Sequence, residues 1–138
     1  PVEVQPVEGL IPDGATLKAH DHLYLTDGDT RVLAAVNGTP ALAAHSFGKG
    51  RGVYMAGFSY SPVNARMLLN LLLWAKGLPL DSDWLTDNRH TEAAWFPADK
   101  TLVVINNSET PCTTTVKTPE GVVAVELEGL ETKILPQE

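Results

Sequence analysis

Between Pro62 and Lys76 the apolar positions Val63, Met67, Leu68, Leu69, Leu71, Leu72, Leu73 and Trp74 leave only a narrow polar stripe of Asn64, Arg66, Asn70 and Lys76. This spacing predicts a helix that is apolar around most of its circumference, and such a helix is buried on more than one side. Its ends are marked. Ser61 can accept from an orphan backbone N–H and Pro62 occupies the first helical position, where its missing donor costs nothing. Gly77 can take a left-handed conformation after the last turn, and Pro79 prevents continuation. Leu72, flanked on the helix by Leu68, Leu69 and Ala75, is expected among the most buried positions.

Upstream the period shortens to that of strands. Leu23 to Leu25, Arg31 to Val36, Pro40 to Ser46 and Val53 to Phe58 read as short strands. Asp27 to Thr30 and Asn37-Gly38 supply hairpin turns, Asn-Gly being the strongest short hairpin signal. Gly48-Lys-Gly-Arg-Gly52 reads as a further hairpin loop, with Lys49 and Arg51 solvated. Residues 1 to 16, rich in proline and acidic residues, form an extended lead-in. Three or four antiparallel strands closed by one helix describe the edge of an α/β layer, and they offer the helix only part of the cover it needs.

The segment 77–89 is turn-rich and acidic, a linker in which Trp84 and Leu85 are pinned against one neighbour. Beyond it, Thr91 to Phe96, Thr101 to Asn106, Thr113 to Lys117, Val122 to Leu127 and Thr132 to Leu135 are β-prone runs separated by turn residues. Short strands at this spacing predict a small antiparallel β-sandwich. The expected fold class is therefore α+β: residues 1–78 as the end of an α/β domain with one buried helix, and residues 79–138 as linker and β-sandwich.

Composition narrows the partners. A hydrophobic content of 43% over 138 residues supports a real core. A net charge of −7 with only ten Lys and Arg argues against nucleic acid and anionic membrane surfaces. No run approaches the roughly 20 apolar residues that span a bilayer. One cysteine, Cys112, excludes an internal disulfide framework and suits a reducing, cytoplasmic compartment. The N-terminus lacks an initiator Met and a secretory pattern, so a processed chain or a piece of a longer one is expected.

Specific residues carry a resemblance. The run Phe47 to Gly57, then Tyr60-Ser61, Asn64-Ala-Arg66 and Leu72-Leu-Trp-Ala75, resembles the late part of the lacto-N-biose/galacto-N-biose phosphorylases, or 1,3-β-galactosyl-N-acetylhexosamine phosphorylases, which include a galactosyl-rhamnose branch. Trp84, Asp87-Asn88, Val103 to Asn107, Thr113 to Val116 and Leu130 to Ile134 are similar to the C-terminal β domain of the same enzymes. The resemblance implies that residues 1–78 end an amidotransferase-like α/β domain. It also implies a parent enzyme that reversibly phosphorolyses a β-galactosyl disaccharide with inversion, giving α-galactose 1-phosphate and an acceptor sugar. The implied partners are an upstream (β/α) barrel, which keeps the catalytic acid and the sugar and phosphate sites, the rest of the α/β domain, and further copies in a homo-oligomer. Inorganic phosphate is the implied co-substrate, with no cofactor, and no catalytic, cofactor or metal residue is assigned to this chain.

Several local patterns suggest chemistry and are better read as structure. His20, Asp21 and His22 are too tightly spaced for a helical ligand pair and have no third ligand nearby. Asp27-Gly-Asp lacks the remaining ligands of a calcium loop. The loop Gly48 to Gly52 runs into a strand, whereas a phosphate loop opens a helix and ends in Lys-Ser or Lys-Thr. Cys112 lies at a strand entrance and not on a nucleophile elbow, which disfavours a stand-alone amidotransferase. His45 and His90 show no triad pattern. Trp95 and Phe96 could stack on a sugar, but adjacent strand residues face opposite ways, so at least one belongs to the core. The competing reading is a non-enzymatic module binding carbohydrate or another subunit of a different carbohydrate-active enzyme, such as a β-galactosidase.

Overall fold

Two tight turns fold the first half of the chain into a sheet. In the computed structural model, which describes residues 9–20 and 23–137, strands β1 (Arg31–Val36), β2 (Thr39–Phe47) and β3 (Gly50–Met55) form an antiparallel sheet in the order β1-β2-β3. Asn37 and Gly38 both have positive φ, 49° and 78°, as the turn between right-twisted strands requires. The second loop is shorter than the sequence suggests. Only Gly48 and Lys49 lie outside the ladder, and Gly50, Arg51 and Gly52 pair with Phe47, Ser46 and His45. The central strand buries Ala41, Leu42, Ala43 and Ala44 in succession, so both of its faces are covered.

The expected strand Leu23 to Leu25 does not form: these residues join no ladder, and Tyr24 is exposed. The chain is instead held locally. Asp27 Oδ1 accepts the amides of Asp29 and Thr30 at 3.0 and 2.7 Å, a side-chain turn that needs no partner strand.

Helix α1 (Pro62–Lys76) has the limits the sequence predicts. Ser61 Oγ accepts the Asn64 amide at 3.0 Å. At the other end Gly77, at φ 77°, donates to Trp74 O while Leu78 donates to Leu73 O, the paired closure that satisfies late helical carbonyls. Arg51 is exposed, as expected, and is also anchored: Nη1 donates to Trp74 O at 2.9 Å and the guanidinium lies 4.9 Å from the Trp74 ring, placing a cation at the negative end of the helix.

The orientation of α1 corrects the sequence reading. The two asparagines of the polar stripe face inward: Asn64 and Asn70 are buried with Met67 and Leu71, while Lys76 stays exposed. Leu72 is 61% exposed and Leu68 39%. The reason lies in residues 9–16 of the lead-in segment, whose backbone lies against the asparagine side of α1 and finds partners there. Asn64 Oδ1 accepts from the Thr16 amide, and its Nδ2 donates to Thr16 Oγ1 and Ser59 O. Asn70 Nδ2 donates to Gly9 O at 2.9 Å. Leu10, in a segment read as featureless, joins the core with Leu42, Met67 and Leu71. In this chain Leu72→Ala should therefore change stability by no more than about 0.5 kcal/mol, the usual effect of an exposed substitution. A urea midpoint lowered as far as a core truncation lowers it would show that the face is covered.

The second half forms its own unit, residues 81–138, distinct from residues 1–80. Strands β4 (Thr91–Phe96), β5 (Thr101–Asn106) and β8 (Thr132–Pro136) make one antiparallel sheet in the order β4-β5-β8, and β6 (Cys112–Thr118) pairs with β7 (Gly121–Leu127) in another. Alternating residues of both sheets meet in one core: Leu102 and Val104 from β5, Val116 from β6, Val125 and Leu127 from β7. The described residues are thus mostly antiparallel sheet with one helix.

Candidate functional site

In the C-terminal unit, strand alternation turns Trp95 toward the core and leaves its neighbour Phe96 49% exposed. Trp84 comes from the linker. Its amide donates to Lys117 O at 2.7 Å, and two residues on Thr86 bridges Val116, so the linker runs along β6 as a short added strand. This brings the two indoles together, centroids 4.3 Å apart and planes 3° from parallel. Trp84 is held at φ 67°, a left-handed conformation that costs a bulky residue roughly 1–2 kcal/mol.

The indole pair lines a cleft of about 270 Å³ closed by Lys100, Thr118, Pro119, Glu120 and Gln137. Three connections converge there: the loop after β4, the turn after β6 and the end of β8. The Gln137 amide donates to Lys100 O at 2.8 Å and ties the last of these to the first. Sequence reasoning singled out the tryptophans and missed the rim. The available signal was that Pro97 to Lys100 and Pro119 to Gly121 are turns leaving strands that end on the same side. The cleft offers an aromatic wall, one ammonium, one carboxylate and one amide, which suits holding a ligand more than transforming one.

The other residues singled out do not converge. His20 is exposed, and Asp21 and His22 lie outside the described residues. His45 Nδ1 sits 3.3 Å from Thr30 Oγ1 and 3.8 Å from Asp27 Oδ1, a surface cluster in which the Thr30 hydroxyl, then its amide, holds the Asp27 carboxyl below its usual range. Cys112 occupies the first position of β6, half-buried against the core. The carbonyl of His90 accepts the Asn107 amide. Lys49 caps a turn between two strands. Among the described residues no three His, Cys, Asp or Glu side chains are placed to hold a metal ion, and no helix is long and apolar enough to cross a membrane.

Asp87, just past the linker tryptophan, has a structural task. Its Oδ1 accepts the Thr115 amide at 2.7 Å and the Thr114 hydroxyl at 3.0 Å, and chiefly the amide lowers its pKa. A folded-state pKa below the ordinary 3.8 contributes stability that is present above that value and lost as pH falls through the lowered one. Asp87→Asn should therefore be less stable than the parent chain near neutral pH, and the gap should narrow by about pH 3. Thermal midpoints at both pH values read this directly; a gap independent of pH would assign Asp87 no charge-dependent role.

Two family models match the chain in succession: the lacto-N-biose phosphorylase central domain over residues 5–79 and the lacto-N-biose phosphorylase C-terminal domain over residues 84–135. The first alone covers more than half of the sequence. The chain belongs to the lacto-N-biose phosphorylase family. A D-galactosyl-β-1→4-L-rhamnose phosphorylase of Lachnoclostridium phytofermentans is 40% identical over 97% of this chain, which spans 19% of that relative. A 1,3-β-galactosyl-N-acetylhexosamine phosphorylase of Bifidobacterium longum subsp. longum is 37% identical over 71% of the chain and 13% of its own length. A third relative, of the latter type and from L. phytofermentans, is 33% identical over 65% of the chain and 12% of its own length. The chain thus spans less than a fifth of these relatives, all named as disaccharide phosphorylases. Within the family match, the aromatic cleft lies in the C-terminal domain and α1 closes the central one.

Proposed function

We infer that this chain is a non-catalytic, structural part of a galactoside phosphorylase: the end of an amidotransferase-like α/β domain and a C-terminal β-sandwich. The parent enzyme phosphorolyses a β-galactosyl disaccharide reversibly, using inorganic phosphate and releasing α-galactose 1-phosphate and an acceptor sugar. In such a reaction an acid protonates the leaving oxygen while phosphate attacks the opposite face; phosphate is already an anion, so no carboxylate base is needed to activate it. The acid and the phosphate site belong to the barrel-containing portion, to which this chain contributes an assembly surface.

The observation that carries this reading is the ordered match to the central and C-terminal family domains on a chain spanning 12–19% of its relatives. The open face of α1 supports it: Leu68 and Leu72 are exposed on a helix otherwise packed on its own sheet, the pattern left when a further layer is supplied from elsewhere.

The test supplies the purified 138-residue chain with galactosyl disaccharides and phosphate, alone and together with the barrel-containing remainder of a parent enzyme. The chain alone should release no galactose 1-phosphate, and the mixture should restore turnover. Leu72→Asp in the chain should abolish that restoration while leaving the chain folded. Release at an enzymatic rate by the chain alone, as a monomer in solution, would overturn the proposal.

A further inference from the structure

We propose that the Trp84–Trp95 cleft of the C-terminal unit is a binding site for an uncharged pyranose sugar. Four observations converge on that ligand class. First, two indoles line one cleft of about 270 Å³, just under the roughly 300 Å³ at which small-molecule pockets begin, a space on the scale of one or two sugar rings. Each indole gives one face to the other, and the remaining surface is divided between the core and the cleft. A pyranose has a face of C–H groups that is apolar and weakly positive, which complements an indole whose π cloud is negative.

Second, the rim has the hydrogen-bonding character that vicinal hydroxyls use. Each hydroxyl both donates and accepts; the Lys100 ammonium can only donate and the Glu120 carboxylate can only accept. Neither side chain forms a hydrogen bond or ion pair among the described residues, so both are available. Third, one positive and one negative group leave the rim without net charge. A phosphorylated sugar would meet Glu120 as well as Lys100 and gain nothing over the neutral ring, so the rim selects the free saccharide.

Fourth, the geometry is set before any ligand arrives. Trp84 and Lys100 are two of the four non-glycine residues with positive φ among the described residues, at 67° and 46°. Such conformations persist only where the surroundings enforce them. Here the enforcing contacts are the Trp84 amide on Lys117 O, the Trp84–Trp95 stack, and the Gln137 amide on Lys100 O. Rigid aromatic walls reduce the ordering cost of binding.

The proposal does not rest on the phosphorylase reading, because it concerns binding by this unit and needs no turnover. The chain has three tryptophans, and the third, Trp74, lies in α1 of the other unit, so it is an internal reference. Indole N–H resonances of the ¹⁵N-labelled chain are followed while methyl β-galactoside, N-acetylgalactosamine, rhamnose, galactose 1-phosphate or mannitol is added. Saturable shifts of Trp84 and Trp95 with at least one free pyranose are expected, with Trp74 unmoved. Mannitol has the hydroxyls but no ring face and should not shift them. Galactose 1-phosphate should bind no more tightly than the free sugars.

Because Trp84→Ala could unfold the unit, the deciding variants are Lys100→Ala and Glu120→Gln on the exposed rim. Each should weaken binding about three- to tenfold, the worth of one hydrogen bond, with the thermal midpoint unchanged. The proposal is overturned if no sugar gives saturable shifts, if mannitol shifts the same resonances equally, if galactose 1-phosphate binds markedly tighter, or if neither rim variant changes affinity.

Discussion

Asn106→Asp should destabilise the chain by about 3 to 5 kcal/mol at neutral pH, the range for leaving a buried charge without a compensating partner. Asn106 is 1% exposed at the end of β5 and uses both ends of its amide. Nδ2 donates to Thr110 O at 2.8 Å and to Glu128 O at 2.9 Å, while Oδ1 accepts the Ser108 amide and hydroxyl, each at 2.9 Å. One side chain thereby joins the loop after β5 to the turn after β7. The aspartate variant keeps the accepting oxygen and replaces the two-donor nitrogen by a second acceptor, facing two carbonyls at hydrogen-bond distance. Burial beside those carbonyls also raises the new carboxyl's pKa above its unfolded value. An acid raised on folding loses stability as pH climbs past the unfolded value, so the deficit should be largest at pH 7 and shrink toward about pH 4. Denaturant midpoints across that range check both statements. A variant as stable as its parent, or a deficit that grows in acid, would refute the assigned pairing.

At the same clasp, Gly129→Ala should cost about 3 kcal/mol, the upper part of the range for forcing extra volume into a packed site. The reason is space and not dihedral freedom, since Gly129 is not among the residues of positive φ. A Cβ there would overlap the carbonyl oxygen of Glu109 and lie 2.6 Å from its carbonyl carbon. Both are backbone atoms, so no side chain can swing away. The loop itself must retreat, and with it the Leu130 amide that donates to Ser108 O at 2.8 Å and the Asn106 contacts beside it. Gly121→Ala is a useful contrast, because that glycine has open space around it and would suffer only from its φ of 140°. Near-parent stability of Gly129→Ala would show that the two loops are not in contact. Combined with Asn106→Asp, its cost should be less than additive, since either change opens the same clasp.

Much of this architecture was legible in the amino-acid sequence because it depends on local chemistry. Ser61-Pro62 and Gly77 bound α1 because caps and left-handed residues act within one turn. Asn37-Gly38 sets a hairpin through the φ values of two residues, and Thr91 to Phe96 and Thr101 to Asn106 are strands because period-two burial is written into neighbouring positions. Family membership was legible too, since it is carried by ordered residue runs.

What the tertiary structure decided concerns surfaces that meet over long sequence distance. Periodicity identifies an apolar face but not the backbone that will lie against it. For α1 the lead-in segment at Gly9 and Thr16, and the connection before the helix at Ser59, present backbone carbonyls and amides that need partners. Asn64 and Asn70 satisfy them, so these two polar positions turned inward and Leu72 outward. Leu23 to Leu25 had strand composition but no partner edge, and the exposed Arg51 found its carbonyl partner only because the helix C-terminus lies beside it. The Trp84 and Trp95 pairing depends on where the linker crosses β6, and the rim of their cleft on three loops meeting at one end of the two sheets. The sequence alone therefore determined most of the elements, the ends of α1 and the family. Burial direction and the cleft were settled only by packing, because unpaired backbone groups and close-packed volume are properties of a meeting place and not of any single stretch of chain.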